Sequence, residues 1–166
     1  MFRRHLRRLA APVLAASLVL ATAGVAAADE PPIYTFDPFF CAVTDSNGDV
    51  LPENVIPAGS ELIIFQGWLA STRGQLVSFM NTATWQFTLN GQAIGVAPYL
   101  TGNFQLYPRG PWANFFIYDA GILAGGTSLD VHFGWVLQAA NFDGTIHFAA
   151  GPVPGGVDHC GVSVAP

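Results

Sequence analysis

Asp130 and His132 stand two positions apart, a spacing that places both side chains on the same face of a β-strand. A carboxylate beside an imidazole assists proton transfer or holds a metal ion when further partners complete the site. Apolar residues alternate with the pair through residues 129–137, so we predict that the pair faces solvent and the apolar side faces a core. A hydrolytic or metal site would need His132 or His147 to meet carboxylates in a cleft, and the sequence has neither a Gly-x-Ser-x-Gly nor a His-Glu-x-x-His motif. We therefore predict that the protein is not an enzyme.

The segment DSNGD, residues 45–49, places Asp45, Asn47 and Asp49 at alternate positions, as a calcium-binding loop does with its first oxygen ligands. Such a loop needs Gly at its sixth position and Glu at its twelfth, whereas here Gly48 is fourth and Ile56 is twelfth. Asp, Ser, Asn and Gly are also the residues that form turns. We therefore predict a turn between strands, without a metal or cofactor, and keep calcium binding as the weaker alternative.

The segment NFQLYPRGPWANFFIY, residues 103–118, gathers six aromatic residues around a Pro-Arg-Gly-Pro corner. Sugar-binding β-sandwiches stack sugar rings on exposed Trp and Tyr, and the same side chains anchor protein partners. Most aromatic residues of a domain this size must fill its core, so only the corner is expected at the surface. Tyr107, Arg109 and Trp112 are therefore predicted as the ligand-contact surface.

Cys41 and Cys160 are the only cysteines. An even pair in an exported protein favours a disulfide, and a pair so far apart in sequence matches neither a redox motif nor a zinc site. We expect the bridge to hold the first and last strands side by side.

Residues 1–28 have the pattern of a secretory signal peptide, with four arginines, an apolar stretch from about Leu14 to Ala23 and small residues ending at Ala28. We predict that this segment is removed, leaving one β-sandwich domain over residues 29–166 that is secreted and does not insert into a membrane. The export route, general secretory or twin-arginine, stays open.

Charge is scarce after residue 28. Arg73 and Arg109 are the only Lys or Arg residues there and face eleven Asp and Glu residues, for a formal net charge of −9. Nucleic acids and anionic lipid surfaces need clustered cations, so both are excluded as main partners.

Short segments rich in Val, Ile, Thr and aromatic residues alternate with Gly and Pro, and none keeps a helical apolar period. The clearest hairpin is TWQFTLNGQAIGV, with a tight turn at Asn90-Gly91. This pattern predicts an all-β fold, an immunoglobulin-like antiparallel β-sandwich, with a β-barrel as the alternative. Strands are predicted at about residues 33–36, 39–44, 61–69, 75–80, 84–89, 92–97, 103–106, 112–118, 128–138, 145–149 and 158–164.

The stretch DAGILAGGTSLDVHF, residues 119–133, resembles the passages of secreted bacterial immunoglobulin-like domains in which a Gly-rich corner leads into a late core strand. The resemblance covers about one strand and its corner. It implies the fold class and carries no function with it.

Two segments that end in Gly-Trp, SELIIFQGW and SLDVHFGW, are predicted as core strands. Gln66 interrupts the apolar face of the first one. That strand is therefore predicted either to be buried on both faces or to carry a bulge near Gln66-Gly67.

Together these patterns favour an exported, non-enzymatic immunoglobulin-like module that binds a protein or another cell-surface macromolecule. The first alternative is a carbohydrate-binding β-sandwich that uses Tyr107, Arg109 and Trp112, and the second is a secreted hydrolase.

Overall fold

Strands form most of the regular structure of the protein, for which a computed structural model describes residues 30–153 and 160–166. The predicted signal peptide, His159 and the predicted start of the last strand lie outside the described residues. In chain order the elements are β1 (Ile33–Asp37), β2 (Ala42–Thr44), β3 (Val55–Ile56), β4 (Glu61–Ala70), α1 (Arg73–Thr82), β5 (Ala83–Leu89), β6 (Gln92–Ala93), a 3₁₀ turn (Ala97–Tyr99), β7 (Phe104–Gln105), β8 (Trp112–Ile122), β9 (Ser128–Leu137), β10 (Asn141–Phe142), β11 (His147–Phe148), β12 (Gly151–Pro152) and β13 (Cys160–Val164).

The strands form two main sheets and a small pair. Sheet one has the order β2-β1-β4-β8-β7, sheet two has the order β3-β13-β9-β5-β6 with β12 also paired to β9, and β10 pairs with β11. Most neighbours are antiparallel, but β1 runs parallel to β4 and β3 runs parallel to β13. The sheets are therefore mixed, and the predicted antiparallel arrangement holds for most strand pairs but not for these two. The chain leaves sheet one after β2, forms β3 in sheet two and returns as β4, and this crossover supplies the long connection that a parallel pair needs.

Aromatic rings from both sheets meet between them. The Phe116 ring of β8 lies 4.9 Å from the Phe87 ring of β5 and 5.1 Å from the Phe133 ring of β9. Because these strands lie inside their sheets, the contacts mark the centre of a sandwich-like core. Neither main sheet closes into a barrel within the described residues.

The alternation predicted for β9 is confirmed. Its inward side chains are buried, whereas Asp130 is exposed and His132 is half-buried on the other side. The buried set is Leu129, Val131, Phe133, Trp135 and Leu137.

In β4, Gln66 is buried in the inward row and the alternation continues through it. The bulge predicted near Gln66-Gly67 is absent, and the irregularity in pairing with β8 lies between Leu62 and Ile63 instead. The Gln66 side-chain amide donates to Asp37 Oδ1 at 3.3 Å, which gives this buried polar group a partner. Burial raises the pKa of the Asp37 carboxyl, and hydrogen bonds from the N–H groups of Phe39 and Phe40 oppose that shift.

The predicted strand at residues 75–80 is wrong, because this segment belongs to helix α1. Thr72 accepts a hydrogen bond from the Gln75 N–H, and the Gln75 side chain accepts one from the Thr72 N–H, so the two residues form a capping box. Leu76 and Phe79 follow on the buried side, and the Phe79 ring stacks on Trp68 with centroids 3.7 Å apart. Local capping and this aromatic contact outweigh the strand-like composition of the segment.

The Cys41–Cys160 disulfide is confirmed, with the two Cα atoms 5.6 Å apart. Cys41 immediately precedes β2 of sheet one, whereas Cys160 begins β13 of sheet two. The bridge therefore joins the two sheets, and the expectation that it holds neighbouring strands side by side is wrong.

The hairpin turn at Asn90-Gly91 is confirmed, since both residues have positive φ, 52° and 75°. The predicted strand at 92–97 is shorter, because only Gln92–Ala93 pair before the 3₁₀ turn that contains Pro98. Among the described residues, no helix has the length and apolar character needed to cross a membrane.

Candidate functional site

The corner predicted as a ligand-contact surface is a tight turn between β7 and β8. The Gly110 N–H donates to the Tyr107 carbonyl at 2.8 Å, Pro108 occupies the second position, and Arg109 at the third has φ 63°. This φ is typical of Gly or Asn at that position, and an L side chain there costs about 1–2 kcal/mol. Tyr107 is 54% exposed, and its ring lies against the turn so closely that a Cβ atom at Gly110 would collide with it.

Trp112 starts β8 and is half-buried, with its ring against the core. The guanidinium carbon of Arg73 lies 5.8 Å from the centroid of this ring, within the range of a cation–π contact. The indole is therefore packed on the core and approached by a cation, which makes it a poor open platform for a sugar ring.

Arg73 belongs to the site, and the sequence prediction missed it. It is exposed at the first position of α1. The Thr72-x-x-Gln75 pattern was the available signal, because a capping box predicts a helix start beside the end of β4. We call the set Arg73, Tyr107, Arg109 and Trp112 the arginine end, and it contains both cations of the chain after residue 28.

The other end of the same two central strands carries acidic residues. Glu61 begins β4 opposite Ile122, and Asp119 lies opposite Ile63. Asp119 is exposed, and its Oδ1 accepts a hydrogen bond from the Gly121 N–H at 2.7 Å. We call Glu61 and Asp119 the acidic end.

Between these two ends, the side of sheet one that points away from the core is apolar. Leu69 is 41% exposed and Ile117 is 38% exposed, and the Phe115 ring packs 4.9 Å from Phe65 and 5.5 Å from Phe104. Gly67 is needed here, because a Cβ atom at this position would collide with the Phe115 ring. An antiparallel sheet with one solvated face is usually polar there, so this surface is unusual. We call the set Ile63, Phe65, Leu69, Phe104, Phe115 and Ile117 the outer face.

The DSNGD segment is a turn, as predicted. Asp45 Oδ1 accepts hydrogen bonds from the N–H groups of Asn47 and Asp49 at 2.8 and 2.9 Å, and Oδ2 accepts one from the Asn47 amide at 3.3 Å. These contacts hold the pKa of Asp45 below its ordinary value of 3.8, and the hydrogen bond from the Asp49 N–H has the largest effect. Across the described ranges, no three His, Cys, Asp or Glu side chains are grouped to hold a metal ion.

The histidines that an enzyme would need lie on different sheets. His132 is in β9 of sheet two, whereas His147 is in β11 and stacks on Phe142 with ring centroids 4.2 Å apart. Asp143, two residues before Thr145, is buried, and its Oδ1 accepts the N–H groups of Thr145 and Ile146 at 2.7 Å each. These contacts use Asp143 to shape the β10–β11 turn.

A shallow, open groove of about 660 Å³ runs between α1 and the β10–β11 hairpin. The hairpin is fixed there, because the Asn141 side-chain amide donates to Ser78 Oγ and Thr82 Oγ1 at 2.9 and 3.1 Å. Asn141 is 7% exposed, and its Oδ1 has no hydrogen-bond partner among the described residues. The side chains that line the groove include Gln75, Ser78, Asn141, Phe142, His147 and Phe148.

No protein-family model matches this chain, and comparisons with curated proteins and with solved structures found no match.

Proposed function

We propose that this protein is an exported, non-enzymatic, immunoglobulin-like sandwich module that binds an acidic surface of a partner protein through the arginine end. The observation that carries the proposal is the position of the two arginines. In a segment with eleven acidic residues, Arg73 lies 5.8 Å from the centroid of the Trp112 ring, and Arg109 lies in the turn that leads into β8, which begins at Trp112.

The electrostatics of the chain favour this end as the contact with an anion. Acidic groups elsewhere repel an acidic partner, so the partner is steered toward the segments that carry Arg73 and Arg109. Arg, Tyr and Trp are also the residues most enriched among those that contribute strongly to protein–protein binding.

The backbone of Arg109 supports the same assignment. A positive φ at an exposed, non-glycine residue costs stability without any compensating burial of its side chain. Such a conformation persists where it has a use, and here it places a guanidinium at the tip of a turn next to the exposed Tyr107 ring.

A protein partner fits the arginine end better than a saccharide does. Stacking of a sugar requires an open aromatic face, and Trp112 is packed on the core and approached by Arg73. Tyr107 and Arg109 are side chains that insert into or pair with a complementary protein surface. Export is supported by the Cys41–Cys160 disulfide, because disulfides persist in oxidising compartments.

Photo-crosslinking tests this proposal. A photoreactive phenylalanine analogue is placed at position 107 of the secreted protein, and the same analogue at the exposed position 50 is the matched control. We expect a discrete crosslinked protein from position 107 and none from position 50. The yield should fall at high salt and with Arg109→Gln, whereas Glu53→Gln should leave it unchanged. An equal yield with Arg109→Gln, or no crosslinked protein from position 107, would overturn the proposal.

A second candidate function is favoured by the groove between α1 and β10–β11. Its lining combines neutral hydrogen-bonding groups from Gln75, Ser78 and Asn141 with the stacked rings of Phe142 and His147, a composition that suits a neutral saccharide. Neutral glycans on an array should then bind the protein, lose binding with Phe142→Ala and keep it with Arg109→Gln. Binding that survives Phe142→Ala would rule out this groove.

A further inference from the structure

We propose that the partner is a second copy of this chain, docked with its outer face against the outer face of the first copy and with the two β8 strands antiparallel. This inference rests on the proposed function, since it names the acidic surface that the arginine end contacts.

The outer face is the part of sheet one that a partner would cover. Its six residues lie on three adjacent strands, β4, β8 and β7, and the contacts among Phe65, Phe104 and Phe115 make the apolar surface continuous. Continuous apolar surfaces of this kind mark sites of protein association in soluble proteins.

The distribution of charged residues along sheet one indicates which partner covers the outer face. The arginine end lies where β4 ends and β8 begins, and the acidic end lies where β4 begins and β8 ends. A two-fold axis that lies in the interface between the two outer faces and perpendicular to β8 would therefore place the arginine end of each copy over the acidic end of the other. A C₂ interface uses the same patch twice, so a surface with opposite charges at its two ends is complementary to itself only in the antiparallel orientation.

The size of the face sets the expected strength. The 11 residues of β8 rise about 3.3 Å each, and three strands spaced about 4.8 Å apart give a face of roughly 520 Å². This is below the ~800 Å² per partner of a standard interface. We therefore expect a reversible dimer with a dissociation constant in the micromolar range.

Sedimentation equilibrium of the secreted, disulfide-bonded protein over a concentration series tests the dimer. The wild type should show a monomer–dimer equilibrium, and Ile117→Asp should raise the dissociation constant at least about tenfold, because it places a charge in an apolar interface. Val50→Asp is the matched control, since Val50 is 64% exposed and lies outside the outer face, and it should dimerise like the wild type. Thermal unfolding of both variants establishes that they are folded.

A charge swap tests the orientation. Arg109→Glu and Glu61→Arg should each weaken the dimer, because each places like charges at both ends of the interface. A mixture of the two variants should form a heterodimer of near wild-type strength, since opposite charges then meet at both ends.

The results separate the two proposals. A wild type that stays monomeric at every concentration, or Ile117→Asp dimerising like Val50→Asp, would overturn the second-copy inference. If position 107 then still captures another protein in an Arg109-dependent way, the proposed function stands. A dimer whose charge-swapped mixture is no stronger than the single variants would overturn the antiparallel orientation proposed here.

In the purified protein, position 107 should crosslink to a peptide that contains residue 61 or residue 119 of the other copy.

Discussion

Arg109 and Asp45 show how single residues fix the turns that carry the exposed side chains. Arg109 holds φ 63° in the turn after β7, and Asp45 closes the turn after β2 by accepting three N–H groups with its carboxylate. The left-handed backbone at Arg109 destabilises the folded protein, whereas the charge-assisted hydrogen bonds to Asp45 stabilise it.

Replacing Arg109 with Gly should stabilise the protein by about 0.5–1 kcal/mol. Relief of the left-handed backbone outweighs the extra entropy that Gly has in the unfolded chain. Urea denaturation of the secreted protein measures the change. Arg109→Lys keeps the conformational cost and should not increase the free energy of unfolding, and an Arg109→Gly variant less stable than the wild type would contradict this account.

Asp45→Asn should lower stability at neutral pH and have little effect in acid. The folded-state pKa of Asp45 is lowered by its hydrogen bonds, so its contribution is present above the unfolded value near 3.8 and is lost as pH falls through the folded value. The free energies of unfolding of wild type and variant should therefore converge only as the pH falls below 3.8. Glu53→Gln removes an exposed carboxylate elsewhere and controls for net charge. A difference that stays constant across this pH range would show that the charge of Asp45 is not involved.

At the residue scale, the sequence predicted the arginine end in part. The surface position of Tyr107 and Arg109 could be predicted from the Pro-Arg-Gly-Pro corner, because such a turn lies at the surface. The half-burial of Trp112 and the contact of Arg73 with its ring could not be predicted from the sequence, because both depend on where α1 packs relative to the end of sheet one.

At the scale of elements, α1 shows which signal decides a short segment. The residues after Gly74 have a composition that suits a strand, but Thr72 and Gln75 fix a helix start, and Leu76 and Phe79 then recur at helical spacing. The apolar count in a window this short is ambiguous, whereas the capping box is specific. Strand β9 was predictable because its apolar residues keep a period of two over ten residues, whereas β4 and β8 were predictable from their runs of aliphatic and aromatic residues.

Thr72→Ala should destabilise the protein by about 1 kcal/mol, since it removes the side-chain acceptor of the capping box. The loss should appear as a lower midpoint of urea denaturation with an unchanged slope. Thr72→Ser keeps the hydroxyl group and should restore most of the stability. Equal stability of the Ala and Ser variants would indicate that Phe79 packing alone holds the helix.

At the scale of the whole molecule, strand existence was predictable and strand order was not. The parallel pairing of β1 with β4 requires that the chain form β3 in sheet two between them. No local pattern in residues 45–60 predicts this crossover. The disulfide was predictable from cysteine count alone, whereas its position between the sheets follows from the topology.

Removal of the disulfide by Cys41→Ala and Cys160→Ala should cost about 2–4 kcal/mol. The bridge closes a loop over a sequence separation of 119 residues, so its loss enlarges the unfolded ensemble considerably. Urea denaturation of the double variant measures the cost, and the wild type in reductant should lose the same amount. A loss below about 1 kcal/mol would show that the sheets hold each other without the bridge.

The position of the disulfide also determines how the molecule responds to mechanical tension. Cys41 and Cys160 are joined, so a pull applied to residue 30 and residue 166 passes through the covalent bridge and leaves the strands between them unloaded. Only the segments before Cys41 and after Cys160 can extend, which limits the gain in length to about 60 Å, at roughly 3.5 Å per residue. The strands β4, β8 and β7 that form the outer face would therefore stay assembled under a force that unravels β1 and β13.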